Sequence, residues 1–146
     1  MKITEALLAE HLVFHNLFDH IEKVLPELQT LAEVKSLAAL MEAMLAAHSR
    51  TEDELLLSPL EHCFEQIGQS EILRQEHEEI DENLLLVQSA KNVRKARELL
   101  LGAVIASRKH FDKEERLVFP MADRVLKTET LDELGETWSN QRNQPV

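Results

Sequence analysis

The stretch that decides the fold is Val93–Met121, VRKARELLLGAVIASRKHFDKEERLVFPM. Along it Val93, Ala96, Leu100, Ala103, Ser107, His110, Glu114, Leu117 and Met121 recur in alternating steps of three and four. That is the seam of a helix packed against other helices. Asn92 stands before it as a helix cap, and Pro120 is expected to end or kink it. Three further segments keep the same period. The first, about Ile3 to Leu28, carries Leu7, His11, Phe14, Phe18, Ile21, Leu25 and Leu28. The second opens on a Thr30/Glu33 capping box, carries Val34, Leu37, Met41, Met44, His48 and Leu55, and ends near Leu57 before Ser58-Pro59. The third, capped by Ser70 and running to about Val87, carries Leu73, His77, Ile80, Leu84 and Val87. Leu60–Gly68 reads as an irregular connector, Thr130 and Glu133 as the capping box of a short terminal helix, and Ser139–Val146 as a frayed end. Four such helices on short connections predict an all-α fold, an up-down-up-down antiparallel four-helix bundle.

Composition agrees. The chain has 146 residues, suited to a single domain spanning 1–146, with 44% apolar and 29% charged residues. Only 3 glycines and 4 prolines and no tyrosine speak against sandwiches and barrels, which need many turns. The formal charge of −11 repels phosphate backbones and anionic bilayers, so neither nucleic acid nor a membrane is expected as a partner; cations are. A lone Cys63 excludes an intrachain disulfide, and no apolar run approaches the roughly 18 residues of a membrane span, so a cytoplasmic protein is the expectation.

Seven histidines stand out in a chain with little else that could do chemistry. Each seam holds one where a Leu or Ile would otherwise sit: His11, His48, His77 and His110. His11 and His48 lie equally far from the Thr30 cap, and His77 and His110 equally far from the Asn92 cap. Each helical hairpin therefore brings its pair to one height. One turn further on, His15 follows His11, Glu52 follows His48, Asp81 follows His77 and Glu114 follows His110. Seven groups form the expected metal-ligand set, His11, His15, His48, Glu52, His77, His110 and Glu114, with Asp81 a candidate eighth.

Burying these groups unpaired would cost several kcal/mol, against a total stability of about 5–15 kcal/mol. A multivalent cation removes the conflict by taking the nitrogen lone pairs and neutralising the carboxylates. Five imidazoles and two carboxylates exceed one tetrahedral zinc. They suit two octahedral ions bridged by the carboxylates, iron by ligand type, with manganese or zinc as substitutes.

The halves also repeat. At an offset of 62, His48-Ser-Arg-Thr-Glu52-Asp53 matches His110-Phe-Asp-Lys-Glu114-Glu115, and a proline follows each. At an offset of 66, Leu7, Glu10 and His11 match Leu73, Glu76 and His77. A duplicated hairpin, each copy holding half of a two-ion centre, accounts for both.

On these residues (Glu10-His11, His48-x-x-x-Glu52, Glu76-His77, and His110-x-x-x-Glu114 leading into Leu-Val-Phe-Pro120) the chain resembles a hemerythrin-like domain of the HHE cation-binding type, over about residues 4–126. The resemblance implies two iron ions in a four-helix bundle, bridged by the two Glu residues and open to an oxo bridge, with a free iron position for dioxygen or a similar diatomic ligand. Hemerythrin proper carries its His-x-x-x-His pair on the third helix; here the pair is His11 and His15 on the first, and the third has His77 and Asp81. Either the halves have exchanged roles, or His15 does not bind, or Asp81 binds in its place.

In the expected assignment His11, His15 and His48 hold one ion, His77 and His110 the other, and Glu52 and Glu114 bridge. The ion on the His77/His110 side offers the open position, behind an apolar wall that includes Phe14, Phe18 and Ile80. His20 is expected to face water, His62 to lie on the connector surface, and the run Glu76, Glu78, Glu79, Asp81, Glu82 to be mostly a solvated face. The function expected is binding or sensing of dioxygen, nitric oxide or a peroxide, or holding iron, more than catalysis. A di-iron oxidase or peroxidase is the alternative. The ferritin-like Glu-x-x-His order is missing, because none of the seven histidines has an acid three residues before it. A metal-free helical interaction module is the third reading.

Overall fold

The computed structural model describes residues 1–65 and 69–145, and for residues 62–65 and 69–70 the backbone alone. Every regular element among them is helical. Helix α1 (Ile3–Val24) ends in a 3-10 turn at Leu25–Glu27, where Pro26 has no N–H with which to continue it. Helix α2 (Leu31–Glu52) opens on the expected capping box: Glu33 N–H donates to Thr30 Oγ1, and Thr30 N–H to Glu33 Oε1, both at 3.2 Å. Helix α5 (Val93–Lys113) opens on Asn92, whose side chain accepts from Lys95 N–H at 2.8 Å. Between them lie α3 (Ser58–Glu65) and α4 (Gln69–Ser89); α6 (Phe119–Val125) and α7 (Thr128–Arg142) follow. The expected cap at Ser70 and the positions of His62 and Cys63 concern side chains outside the described residues.

Neither Pro59 nor Pro120 breaks its helix. Each is preceded by a π-helical turn, Asp53–Leu57 before α3 and Glu114–Val118 before α6. In these turns Ser58 N–H donates to Asp53 O and Phe119 N–H to Glu114 O, five residues back instead of four. The widened turn has already displaced the carbonyl that a proline ring would strike, so the chain stays helical. The irregular connector expected from Leu60 is therefore helical to Glu65. The extra residue also shifts the seam. Leu117 is 50% exposed, and Val118, Phe119 and Ala122 are buried in its place. In α2 the buried row is Val34, Ala38, Met41, Leu45 and His48, with Leu37 and Met44 only partly covered.

The core has two apolar parts. One, around Phe14, Phe18, Ile21, Met41, Leu84, Leu100 and Phe111, fills the α1, α2, α4 and α5 bundle. The other joins Ile3 and Leu7 to Leu55–Leu57, Leu73, Val118, Phe119, Ala122 and Leu131. Between them α1, α2, α4, α5 and the π turn after α5 contribute a polar layer at residues 11, 48, 52, 77, 110 and 114.

The terminal helix departs from expectation at both ends. It begins at Thr128 behind Lys127, not at a Thr130 cap, and it stays helical to Arg142 where fraying was expected from Ser139. It docks along α1, burying Leu131 and Gly135. A Cβ on Gly135 would lie 1.9 Å from Met1 O, so only glycine admits this approach. No helix among the described residues is long and apolar enough to cross a membrane.

Candidate metal centre

The four seam histidines converge. His11 Nε2 lies 3.2 Å from His48 Nε2, and the His77 and His110 rings are 4.3 Å apart between centroids. The i+4 acids lie between the pairs. Glu52 Oε2 is 3.3 Å from His48 Nε2 while its Oε1 is 3.7 Å from His77 Nε2; Glu114 Oε1 is 2.5 Å from His110 Nε2. Two donor groups result, each drawn together within 4.8 Å: His11, His48, Glu52 and Glu114, and Glu52, His77, His110 and Glu114. The two carboxylates belong to both. Glu52 and Glu114 thus lie between two groups, each of which could hold a cation.

His15 is brought to neither group. Its ring is 30% exposed, and Nε2 donates to Glu115 Oε1 at 2.9 Å. Asp81 is exposed and also outside both groups. His20 is exposed, as its position half-way round the helix from His11 predicts.

The histidines are held from behind by carboxylates. His48 Nδ1 donates to Glu10 at 2.7 Å and His11 Nδ1 to Glu115 at 3.0 Å. His110 Nδ1 faces Glu76 at 3.6 Å, and His77 Nδ1 faces Asp53 at 3.9 Å. An acid on Nδ1 fixes the tautomer and leaves Nε2 free to bind a cation. Sequence reasoning missed these four partners and placed Glu76 on a solvated face. The signal was present: Glu10 recurs as Glu76 and Asp53 as Glu115 in the same repeats that carry the ligands.

The fit to a cation rests on the orphaned atoms. Glu52 and Glu114 are 0% exposed, and both oxygens of each lack a hydrogen-bond partner. Both ring nitrogens of His110 lack one too, since its short approach to Glu114 is not angled for a hydrogen bond. For the protein groups by themselves the conflict is severe. Burial and the His48 charge bring His11 down to about 4, and burial and His77 bring His110 down to about 4. Burial also opposes the His48 charge, but the hydrogen bond to Glu10 and the adjacent Glu52 carboxylate outweigh it and raise His48 to about 9. Burial and the Glu52 charge push Glu114 well above the usual carboxylate range. Burial alone would raise Glu52 as well, but the adjoining Glu114 carboxyl and the nearby His48 and His77 charges hold it below that range. Two carboxylates in one buried site thus share a proton, a charge that a cation replaces.

The halves differ at the position after the second histidine, and a cleft of about 210 Å³ between Val13, Phe14, Met44 and Arg142 also reaches His48. Phe111 stacks on His11 with centroids 3.8 Å apart and rings 5° from parallel. Ser49 occupies the corresponding place in the other half, and there a cavity opens beside His77 and His110, lined also by Leu45, Ile80, Asp81 and Phe111. About 10 Å³ of it is open to the centre of a water-sized molecule, room for one.

A helical bundle with a four-histidine, two-carboxylate cluster at its centre defines a metal-binding class of protein. The family model of the Hemerythrin HHE cation binding domain matches residues 2–122 and again 68–137, and the chain belongs to that family. The second match starts 66 residues after the first, the offset between His11 and His77. Comparison with curated proteins and with solved structures gives no match.

Proposed function

We propose that this protein binds two iron ions in an up-down-up-down antiparallel four-helix bundle, and takes up or senses one small diatomic ligand, dioxygen or nitric oxide, beside the second ion. The observation that carries the reading is the pair of donor groups sharing Glu52 and Glu114, whose four oxygens are buried without partners. His11 and His48 hold one ion, His77 and His110 the other, and the two carboxylates lie between them. His15, expected among the ligands, acts through Glu115 on His11. Manganese or zinc fits the same donors. A redox-active ion pair supplies electron exchange with the bound diatomic, and the chain supplies the rest. The acids behind Nδ1 orient the imidazoles, Phe14 and Phe111 pack against the His48 and His11 rings, and the Ser49 cavity admits one small uncharged molecule beside His77 and His110.

We keep the open position on the His77/His110 side, where the less saturated ion was expected, but for a different reason. With His15 outside both groups the two halves have equal numbers of ligands, and the asymmetry comes from Ser49 against Phe111. The test is metal content with the near-ultraviolet and visible spectrum, recorded before and after azide or nitric oxide. Two irons per chain and an azide-dependent band are expected, and Ser49→Phe should abolish the band while keeping both irons. Well under one metal per chain after growth with iron would end the reading.

A further inference from the structure

The two halves solve the same problem with different parts. In the second half Glu76, behind His110, is held by the ammonium of Lys113 from the next turn of α5. The repeat places Thr51 where Lys113 would be in the first half, so α2 has no cation for Glu10. The C-terminal helix supplies it. Arg142 Nε donates to Glu10 Oε1 at 2.7 Å, and Trp138 Nε1 donates to the same oxygen at 2.8 Å. Arg142 Nη1 also donates to Thr51 Oγ1 at 3.0 Å, so the guanidinium is anchored on the residue that replaces the lysine. The other Glu10 oxygen accepts from His48 Nδ1 at 2.7 Å. One carboxylate therefore connects α7 to an imidazole whose Nε2 faces the centre.

We propose that α7 completes the His48 half of the centre: Arg142 and Trp138 position His48 through Glu10, and cation binding in this half is linked to docking of α7. The inference rests on the dinuclear reading above. Groups that orient a ligating imidazole typically change metal affinity by about 10- to 100-fold when removed. Linkage is reciprocal, so whatever lifts α7 weakens this ion, and filling the site holds α7 down. The other half, with its cation on α5 itself, is insulated from α7. Trp138 is the chain's only tryptophan and so reports on this contact alone.

The experiment titrates the full chain with Zn²⁺ against a competing chelator, following bound metal and Trp138 fluorescence together. Two binding steps are expected, one of which shifts the Trp138 emission. Arg142→Gln should weaken that step about 10- to 100-fold and leave the other within about threefold, and Arg142→Lys should recover part of the loss. Lys113→Gln should weaken the silent step instead. A merely structural role for Arg142 would lower both steps alike, or lower the melting temperature in chelator without separating them. Either result overturns the inference, as does a wild-type Trp138 emission that is the same with and without Zn²⁺. Absence of any Zn²⁺ binding by the wild type would be a failure of the dinuclear reading itself, and this inference would fall with it.

Discussion

His110→Leu should make the protein more stable in chelator and less responsive to metal. The His110 ring is 1% exposed, both its nitrogens lack partners, and burial holds it neutral at pH 7. Each buried polar atom left unsatisfied costs about 1–3 kcal/mol, and leucine of similar bulk carries no such cost. Taking one such penalty as the net gain, at roughly 2–4 °C per kcal/mol for a chain of this size, the variant should melt about 3–10 °C higher in chelator. Loaded protein gives the opposite comparison. An ion present at 100 times its Kd contributes about 2.7 kcal/mol, so two contribute about 5 kcal/mol, and chelation of the wild type should lower Tm by roughly 10–20 °C. Without His110 one ion lacks a ligand, and the chelator-induced drop should shrink by half or more. Calorimetric melts of both proteins, with and without chelator, measure all four values. A variant that melts well below wild type in chelator, or shows the full chelator-induced drop, would refute the account of His110 as a ligand kept at a cost in stability.

The chelated protein should be most stable near pH 6.5, by thermal melts across pH 4.5–9. His48, raised to about 9, stays protonated in the native state, so stability rises as pH falls from 9 towards 6.5. Below 6.5 the unfolded chain protonates His11 and His110 while the native state, with both near 4, does not; Glu114, pushed up, offsets one of these protons. The net single proton removes about 1.4 kcal/mol per pH unit. Gly135→Ala should cost several kcal/mol or detach α7, because its Cβ would meet Met1 O at 1.9 Å; loss of the Trp138 environment by near-ultraviolet circular dichroism distinguishes detachment from global unfolding. His15→Gln should retain two ions per chain by elemental analysis, since its imidazole contacts Glu115 and not the donor groups; loss of an ion would restore it to the ligand set. Phe111→Ala should destabilise by about 3–5 kcal/mol through the cavity it leaves, and should admit azide to the His11/His48 side, read as a second spectral change.

What the sequence made legible were features written in one helix at a time. The seams as far as the π turns, the Thr30 and Asn92 caps and the four inward histidines follow from a period of 3.6 and from capping chemistry, with Ala38 and Leu45 buried in place of Leu37 and Met44. The equal distances of His11 and His48 from one cap, and of His77 and His110 from the other, also become contacts. What was illegible depends on neighbours. His15 has the same spacing from His11 as Glu52 has from His48, yet a carboxylate arriving from the π turn after α5 takes its nitrogen first. Arg142 looked like part of a frayed tail because its partner, Glu10, lies 132 residues away. The π turns were illegible for a third reason. They have no composition of their own, and Pro59 and Pro120, read as helix ends, mark the place where the wider turn lets the helix pass.

Those two turns connect the fold to the site. A π turn adds a residue without ending the helix, and such turns cluster at functional sites because the register change costs stability. Here each one begins within a residue of a central carboxylate, at Asp53 after Glu52 and at Glu114 itself. Upstream of the turn the helix faces the bundle with histidine and acid. Within and just after the turns, Leu55–Leu57 in one half and Val118 and Phe119 in the other enter the second apolar cluster, and in the second half Leu117, which a regular seam would have buried, is exposed. The polar layer is thus sealed on both sides by apolar cores that a single uninterrupted seam would not have aligned. Duplication accounts for the presence of two such turns, and the differences between copies, Ser49 against Phe111 and Thr51 against Lys113, set the halves apart: a small cavity lies beside His77 and His110 in one, and the other is tied to the C-terminal helix.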